Sequence, residues 1–544
     1  MRQSLVAFLA ASALALPAAA LAERPVVETA SGPVAGETTD GVRVFKGLPY
    51  AAAPVGQARW RPPAPPAAWT KVRDATRFGA ACPQPPSRPG SIYAARHAAL
   101  SEDCLFLNIW APADARKAPV FVWIHGGSLV TGAGSEAMYD GTNLAAEGLV
   151  VVTLNYRLGV LGYLAHPELS AESPDGVSGN YGLLDQIAAL EWVRDNIAAF
   201  GGDPGNVTTA GESAGALSVM YLMASPAARG LFHKAVAQSA YMISTPELKA
   251  ARHGALAAEA AGLELGRRLE ARSLARLRAM DADKLILEAA LAGFQPWGAI
   301  DGKVLPRQLV ETFDRGEQAP VPILAGFNQG EIRSLRFLAP PPPDTPSAYE
   351  ALIRARYGDL AEDFLALYPA ADPGESVLAA PRDALYGWTA ERLARRQTAL
   401  GQGAWLYLFD HGYPAAQALD LHAFHAAEIP YVFGTHDRTP TKWPKPPDTP
   451  AEAALSAAMT RYWASFARDG APAAAGAPAW RPYGETEAFM RFADAPKPGE
   501  NLMPGMFELH EEVVCRRRQE GQTPWNWNVG VVAPALPAGG SPCP

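Results

Sequence analysis

The stretch VTTAGESAGALSV, residues 207–219, places Ser213 inside a Gly-x-Ser-x-Gly motif. β-branched residues typical of a strand precede the motif, and an apolar helical pattern follows it. A sharp turn between the two would strain the serine backbone and expose its hydroxyl, with Gly211 and Gly215 leaving room for the turn. This context predicts that Ser213 is a nucleophile and that the Ala214 amide points to a developing oxyanion. The simpler alternative is a Gly-rich turn with a solvated serine.

The sequence around this motif predicts an α/β fold. From Cys104 onward, apolar strands alternate with longer helical segments, which is typical of a mostly parallel sheet with helices on both faces. Short β-like runs near Val26 and over 42–45 predict an antiparallel edge. The expected strands are 105–110, 120–124, 149–154, 207–211, 235–238, 323–327 and 405–409, and a helix is expected over 183–197.

Composition and charge exclude several classes of protein. Of the 544 residues, 49% are apolar and 19% are charged, which indicates a folded globular protein rather than a disordered or fibrous one. The net charge is -8, and the single dense basic run, residues 515–518, is interpreted as a solvated part of the tail. A nucleic-acid partner is therefore not expected. The sequence does not indicate an oligomeric state.

The first 22 residues resemble an export signal. Arg2 supplies a positive start, residues 5–16 are apolar, and Ala20-Leu21-Ala22 offers a cleavage site. The apolar run is shorter than a membrane span and no second long run follows, so no membrane span is expected. We therefore expect a periplasmic or secreted protein, with a signal over 1–22, one enzyme domain over 23–514 and a Pro- and Gly-rich tail over 515–544.

Four cysteines lie outside the signal. An oxidising compartment would allow two disulfides, and proximity in the sequence favours Cys82 with Cys104 and Cys515 with Cys543. No pair has Cys-x-x-Cys spacing, so neither a thiol redox site nor a zinc site is expected. The sequence also lacks a His-Glu-x-x-His motif, and no metal or other cofactor is expected.

A serine nucleophile needs a base and an acid that supports the base. In an α/β fold of this type both follow the serine along the chain. Glu331 comes four residues after an apolar strand and is either a relay acid or a solvated loop charge. The histidines that remain as candidates are His411, His422, His425, His436 and His510. The segment LHAFHAAEIPYVFG favours His422 and His425, and composition does not choose between them.

A second glycine-rich turn follows the strand that ends at Ile124. In VFVWIHGGSL the strand continues into His125, Gly126, Gly127 and Ser128. Such a turn lets backbone amides approach a substrate oxygen, which would supply the second half of an oxyanion hole. An ordinary tight turn is the alternative, and the presence of Ser213 favours the functional reading.

Taken together, these residues resemble the type-B carboxylesterase and cholinesterase family of α/β-hydrolases. The resemblance covers most of the chain after the signal. It rests on EDCL at 102–105, HGG at 125–127, NYRLGVLGYL at 155–164, the long GNYGLLDQ block at 179–204, GESAG and the HAFHAAEIPYVFG block. It implies an α/β-hydrolase fold with large loop and helical insertions, and no cofactor.

The resemblance also implies a role for individual residues. Ser213 would be the acyl-ester nucleophile, Glu331 the acid and His425 the base. The oxyanion donors would be the amides of Gly127, Ser128 and Ala214, and Cys82 and Cys104 match the family's early disulfide. Two residues depart from the family pattern, because Ser128 and Ile332 stand where glycine is common. Neither departure removes a reacting group.

The implied function is a serine carboxylesterase that hydrolyses small-molecule esters through an acyl-enzyme intermediate. The alternatives are a non-catalytic binding domain related to cholinesterases, and an amidase or acyltransferase with the same triad. Residues 240–248 and 331–336 loosely resemble esterases that act on polycarboxylate esters such as fumonisins. Arg333 and Arg336 would then pair with an anionic acyl group, or simply be solvated.

Other side chains near these motifs have less certain roles. Glu212 would either tune the field at the site or bond within the fold. Four aromatic residues are candidates to line the substrate pocket or to belong to the core: Phe294, Trp297, Phe337 and Trp388.

Overall fold

The computed structural model describes residues 24–539, which form fourteen strands and eighteen α-helices. The strands are β1 (Val26–Thr29), β2 (Gly32–Ala35), β3 (Glu37–Thr39), β4 (Val42–Pro49), β5 (Arg73–Asp74), β6 (Phe106–Pro112), β7 (Ala118–Ile124), β8 (Val150–Leu154), β9 (Gly202–Glu212), β10 (Lys234–Gln238), β11 (Ile323–Asn328), β12 (Ala404–Phe409), β13 (Ala488–Phe492) and β14 (Pro496–Glu500).

The helices are α1 (Thr142–Ala146), α2 (Gly159–Tyr163), α3 (Pro167–Glu172), α4 (Tyr181–Asn196), α5 (Ala214–Ala224), α6 (Ala258–Arg268), α7 (Leu274–Ala279), α8 (Ala282–Leu291), α9 (Leu309–Asp314), α10 (Glu331–Ser334), α11 (Pro346–Tyr357), α12 (Ala361–Leu367), α13 (Pro373–Arg382), α14 (Trp388–Ala399), α15 (Pro414–Gln417), α16 (Ile429–Phe433), α17 (Pro450–Asp469) and α18 (Met506–Glu520). A π-helical segment, Asp383–Gly387, joins α13 to α14.

Eleven strands form one sheet in the order β14-β13-β12-β11-β10-β9-β7-β8-β6-β4-β3. Pairing is parallel from β8 through β7, β9, β10, β11 and β12 to β13, and antiparallel at both edges. The expected mostly parallel sheet with an antiparallel edge is confirmed. Because parallel strands run the same way, the turns after β7, β9, β11 and β12 meet at one edge of the sheet.

The central strand β7 shows why helices cover both faces. Successive strand residues point to opposite sides. Val122 and Ile124 join a core cluster with Leu217 of α5, whereas Trp123 joins a second cluster with Trp463 of α17. All of these side chains are buried, so neither face of the sheet is exposed to water at this strand.

The seven strands expected from the sequence correspond to β6 through β12, with differences only at their ends. The expected helix over 183–197 corresponds to α4, Tyr181–Asn196. The strands β13 and β14 were not expected. Their alternating and polar burial patterns, unlike the fully buried pattern of β12, explain why no apolar run marks them.

The C-terminal region differs from the expected tail. Helix α18 crosses the predicted boundary at residue 515, and the interpretation of residues 515–518 as a solvated basic run is wrong for its two central arginines. Arg516 and Arg517 are 6% and 1% exposed. Arg516 pairs with Asp359 and Glu512 at 2.7 Å, so buried cations and their partners anchor the helix.

Cys82 and Cys104 form a disulfide with a Cα–Cα distance of 5.0 Å, which confirms the first expected pair. The expected partner of Cys515, Cys543, lies outside the described residues, as does the expected signal over 1–22. Within residues 24–539, no helix is long and apolar enough to cross a membrane.

Candidate active site

Ser213 occupies the turn between β9 and α5. Its backbone has φ 55° and ψ -121°, a strained conformation for a residue with a side chain. A Cβ on Gly215 would lie 2.0 Å from the carbonyl oxygen of Ile124, so only glycine lets the turn pack against the end of β7. The Ser213 amide donates to the carbonyl of Gln238 at the end of β10 over 2.9 Å. The neighbouring strands therefore hold the predicted nucleophile turn in place.

The glycine-rich turn after β7 lies directly beside Ser213. A Cβ on Gly126 would lie 3.3 Å from the Ser213 Cβ and 2.9 Å from Oε2 of Glu212. Gly127 has φ 99°, and a Cβ there would lie 2.2 Å from the carbonyl oxygen of Thr131. The turn continues through Ser128 with φ 58°, so its backbone remains in the left-handed region.

The amides expected to form the oxyanion hole are available as donors. Among the described residues, the backbone N–H groups of Gly127, Ser128 and Ala214 have no protein acceptor. Gly127 and Ser128 are exposed, so a ligand oxygen can reach their amides from solvent. Ala214 is fully buried and starts α5, whose N-terminal amides attract negative charge.

Glu331 is buried and in contact with His425. It begins α10, three residues after β11 ends, and is 0% exposed. Its Oε1 accepts a hydrogen bond from the Asn328 amide over 2.8 Å, and its Oε2 bonds Nδ1 of His425. The alternative of a solvated loop charge is therefore wrong for Glu331.

The loop that carries His425 is fastened on two sides. Gly330 and Phe424 form a parallel bridge that joins the glutamate loop to the histidine loop. The Tyr93 hydroxyl donates to the His425 carbonyl over 2.9 Å and lies 2.7 Å from Oγ of Ser334. These contacts come from the backbone and from hydroxyl groups, so they hold His425 without occupying its ring.

The second ring nitrogen of His425 faces the residue before the serine. Its Nε2 lies 3.1 Å from Oε1 of Glu212. Among residues 24–539, no hydrogen bond joins the imidazole to the Ser213 hydroxyl. In this structure the ring thus lies between two carboxylates, one on each nitrogen.

Burial and the charges of these carboxylates change the pKa values of His425 and Glu212. Burial alone lowers the pKa of His425, but the charges of Glu212 and Glu331 outweigh it and raise the pKa to about 9. Burial raises the pKa of Glu212 to about 8, with Glu428 and Glu331 adding to the rise and His425 opposing it. The imidazolium is therefore favoured while the carboxylates are charged.

Glu428 is a third buried carboxyl group, which the sequence analysis did not single out. Its Oε1 accepts a hydrogen bond from the side-chain amide of Gln238 over 2.9 Å, and its Oε2 accepts one from the side-chain amide of Asn328 over 2.6 Å. The Trp463 indole in turn donates to Gln238 over 2.9 Å. Burial, followed by the charge of Glu331, raises the pKa of Glu428. This network ties β10, β11 and the histidine loop together.

Two tyrosines that no motif indicated lie beside Ser213 and His425. The Tyr386 ring lies 5.4 Å from that of His425 and 6.0 Å from that of Tyr241. Burial raises the pKa of Tyr241, and the nearby Ser213 side chain opposes that rise. Only the three-dimensional structure reveals these residues, since isolated tyrosines occur throughout the chain.

The four aromatic candidates for the pocket separate into different environments. Trp297 is half-buried and contacts the Tyr241 ring at 6.4 Å, so it lies near the site. Trp388 is fully buried and its indole donates to Glu511, so it belongs to the core. Phe294 packs against a separate apolar cluster, and Phe337 is 69% exposed.

The other four histidine candidates lie apart from Glu331. His422 is half-buried and 3.5 Å from Asp420, and His436 packs against the Tyr431 ring. His411 pairs with Glu452 and His510 with the Tyr368 hydroxyl. Of the two candidates left open, His422 and His425, it is His425 that contacts Glu331 in the described part of the chain.

Arg333 and Arg336 are already engaged with carboxylates of the protein. Arg333 pairs with Asp420 at 2.6 Å and also with Glu375, and its side chain is only 9% exposed. Arg336 pairs with the same Asp420. Simple solvation is therefore wrong for Arg333, and neither guanidinium lacks an anionic partner.

Comparison with known proteins extends these observations. The sequence model described as Carboxylesterase family matches residues 23–506. The chain belongs to the carboxylesterase family. Fumonisin B1 esterase of Sphingopyxis macrogoltabida is 39% identical over 510 residues, which are 90% of this chain and 91% of the relative. Para-nitrobenzyl esterase of Bacillus subtilis (strain 168) is 39% identical over 461 residues, 82% of this chain and 90% of the relative.

The solved structures agree with the sequence relatives. A PNB esterase structure superposes with a TM-score of 0.78 at 36% identity, covering 90% of this chain and 99% of its own. The carboxylesterase Est55 of Geobacillus stearothermophilus gives a TM-score of 0.72 at 34% identity, covering 89% of this chain and 100% of its own. The α/β-hydrolase fold is confirmed, and this carboxylesterase is a carboxylic ester hydrolase.

Proposed function

We propose that this carboxylesterase cleaves esters through a relay of Ser213, His425 and Glu331. The observation that carries the proposal is the buried Glu331–His425 pair, which lies beside the strained Ser213 turn, with Nε2 of His425 against Glu212, the residue before the serine. A serine hydroxyl needs such a base to become a nucleophile at neutral pH.

Acylation would begin with attack of the Ser213 oxygen on the ester carbonyl carbon, as Nε2 of His425 takes the hydroxyl proton. Negative charge then collects on the former carbonyl oxygen. The amides of Gly127, Ser128 and Ala214 are the donors for that oxygen. When the tetrahedral intermediate collapses, the carbon–oxygen bond to the alcohol breaks and His425 returns the proton to the departing alcohol.

Deacylation would repeat these steps with water. His425 takes a proton from the water as the water oxygen attacks the acyl-enzyme, and then returns the proton to Ser213 as the carboxylic acid leaves. Glu331 keeps the Nδ1 proton in place and stabilises the imidazolium that forms in each half of the cycle.

This role requires Nε2 of His425 to turn toward Ser213. In the free protein Nε2 lies against Glu212, which is the residue immediately before the serine. Catalytic hydrogen bonds often tighten only when substrate is bound. The proposed role of Glu212 is therefore to tune the charge of His425 from a neighbouring position.

Neutral small-molecule esters are the proposed substrate class. Fumonisin B1 esterase is a relative, which raises the possibility of a polycarboxylate ester. Arg333 and Arg336, the cations that would bind the extra carboxylates, are instead paired with Asp420. Neutral esters do not require an unpaired cation.

Export to the periplasm or the medium is proposed as the setting of the reaction. The support is the signal-like pattern over 1–22 and the Cys82–Cys104 disulfide, since disulfides persist in oxidising compartments. The Cys515–Cys543 pair is proposed as a second disulfide of the same compartment.

The test compares the purified chain with Ser213→Ala on p-nitrophenyl acetate. We expect the variant to lose about 10⁴-fold or more of kcat, since the rest of such a relay retains little activity alone. Circular dichroism checks that the variant is folded. Retention of activity by folded Ser213→Ala would refute the proposed nucleophile.

The same assay separates ester hydrolysis from the related reactions. A matched anilide tests amidase activity, and added methanol tests acyl transfer through formation of the methyl ester. We expect the ester to be cleaved faster than the anilide and water to remain the main acceptor. Preferential anilide cleavage would favour the amidase alternative.

A further inference from the structure

The C-terminal segment, residues 521–532, packs against the loop that follows β10. The indole of Trp525 donates to the carbonyl oxygen of Met242 over 2.9 Å, and the Asn526 amide donates to the same oxygen over 3.1 Å. Trp525 is 1% exposed. Because β10 ends at Gln238, which holds the Ser213 amide, the segment packs against a loop that starts beside the serine turn.

Arg517 fixes the backbone of this segment. It lies in the last turns of α18 and is 1% exposed. Its guanidinium donates to the carbonyl oxygens of Pro524, Trp525, Trp527 and Asn528, over 3.4, 2.9, 3.0 and 3.2 Å. One planar cation thus binds four backbone carbonyls, one of which belongs to Trp527. Arg517 therefore fixes the backbone position of Trp527.

Aromatic rings connect Trp527 to the reacting serine. The Trp527 ring lies 6.3 Å from that of Trp297 at an angle of 47°. Trp297 lies 6.4 Å from Tyr241 in an edge-to-face arrangement, and Tyr241 has the Ser213 side chain as a polar neighbour. Trp297 and Trp527 are both half-buried, whereas Tyr241 is 7% exposed. The two indoles therefore have solvent-accessible surface next to the buried side chain of Tyr241.

His425 is connected to the same row of aromatic rings, Trp527, Trp297 and Tyr241, through Tyr386. Tyr386 contacts both Tyr241 and His425, and it lies in the π-helical segment Asp383–Gly387. Single-turn π segments are often found at functional sites. The aromatic line thus borders both the proposed nucleophile and the proposed base.

We propose that Trp297 and Trp527 form an apolar subsite that selects esters with a large aromatic substituent. The inference rests on the proposed function, since it takes Ser213 as the nucleophile. Two indoles at this distance can pack against an aromatic ring by offset or edge-to-face contact and remove its surface from water. The side chains along the line are uncharged, which suits a neutral substituent.

The outer indole of this subsite lies outside the part of the chain that the family model describes. The family match ends at residue 506, and Trp527 lies beyond it. Arg517, which positions the segment, also lies beyond the match. Relatives without such a segment would not supply the outer indole, and their substrate range would differ at this point.

The test is the variant Trp527→Ala with Trp69→Ala as the matched control. Trp69 is also half-buried, but it packs near β2, where its indole donates to the Pro33 carbonyl. Three esters serve as probes, followed by titration of the released acid: ethyl acetate, ethyl phenylacetate and naphthylmethyl acetate. The last two place the aromatic group on the acyl side and on the alcohol side of the scissile bond.

For Trp527→Ala we expect kcat/KM to fall by about tenfold or more on at least one aromatic ester. The fall should come mainly through KM, because the subsite binds ground state and transition state alike. Activity on ethyl acetate, which has no aromatic group, should stay within about twofold of the parent. Arg517→Met, with Trp527 intact but less fixed, should show the same selective rise in KM.

Four results would overturn the subsite. The first three are an unchanged preference in Trp527→Ala, an equal loss on ethyl acetate and the aromatic esters, and the same selective loss in Trp69→Ala. A gain on the aromatic esters would also overturn it, since Trp527 would then be a steric barrier. Failure of the proposed function is separate, because Ser213→Ala would then retain activity on p-nitrophenyl acetate.

Discussion

His425 and His411 are both buried histidines that follow strands of the sheet, and each is paired with a glutamate. Their exposed fractions are 6% and 7%, so burial does not distinguish them. Nδ1 of His425 bonds Glu331, and Nε2 of His411 lies 3.1 Å from both carboxylate oxygens of Glu452. By composition alone, the two pairs are equivalent.

They differ in what lies around the pair. The Glu452 carboxylate is shared with the Tyr431 hydroxyl, which donates to it over 2.7 Å, and the other nitrogen of His411 lies 3.4 Å from the exposed Asp494. The other nitrogen of His425 instead points to the residue beside Ser213. A histidine–carboxylate pair can act as a catalytic base only where its second nitrogen reaches a nucleophile.

The largest expected effect separates the two histidines. We expect His425→Gln to lower kcat on p-nitrophenyl acetate by about 10⁴- to 10⁶-fold, because the serine loses its proton acceptor. His411→Gln should keep kcat within about threefold but lower the free energy of unfolding by about 1–3 kcal/mol, since Glu452 loses a buried partner. Initial rates and urea unfolding of both variants measure these effects. Similar kcat losses in the two variants would erase the distinction.

The second prediction compares the two glutamates. We expect Glu331→Gln to lower kcat by about 10⁴-fold, because an amide can donate to Nδ1 and force the wrong tautomer of His425. Glu452→Gln should leave kcat within about threefold. Rates of both variants at one saturating ester concentration suffice for the comparison. A Glu331→Gln enzyme with near-parent kcat would exclude the proposed acid.

The smallest expected effect concerns Glu212 and pH. His425 acts as a base only when neutral, and its pKa is raised from 6.5 to about 9 by the charges of Glu212 and Glu331. Removing one of these charges in Glu212→Gln should lower that pKa. The acid limb of the kcat/KM profile should then move down by about one pH unit.

Profiles from about pH 5 to about pH 10, corrected for spontaneous hydrolysis, test this shift. Glu147→Gln is the matched control, because this partly exposed glutamate lies in the loop after α1 and should leave the profile unchanged. An acid limb that stays in place, or moves to higher pH in Glu212→Gln, would show that the charge of Glu212 does not support the imidazolium.

The sequence predicted the central part of the fold because its strands are short, apolar and separated by turns. Seven strands and α4 were found within a few residues of their bounds. The strands β13 and β14 at one end of the sheet escaped prediction because both are partly exposed and neither has the continuous buried run of the central strands. The Pro- and Gly-rich composition after residue 514 concealed a helix end whose arginines are buried by specific partners.

The candidate site was likewise predicted only in part from the sequence. Ser213, Glu331 and His425 lie within local motifs, and the structure places Glu331 in contact with His425. Their surroundings, such as Glu428 and Tyr386, come from distant segments that meet only in the folded chain. A lone buried carboxyl or phenol has no local pattern, so sequence reasoning could not have selected it.

The Cys82–Cys104 disulfide has a consequence for timing. It closes a ring of chain that contains Tyr93, and the hydroxyl of Tyr93 bonds the backbone of His425. The hydrogen bond from Tyr93 to the proposed base therefore comes from a loop that is closed only after the thiols of Cys82 and Cys104 have been oxidised. Reduction of this pair would open the ring and loosen the chain that carries Tyr93, and with it one contact of the histidine loop.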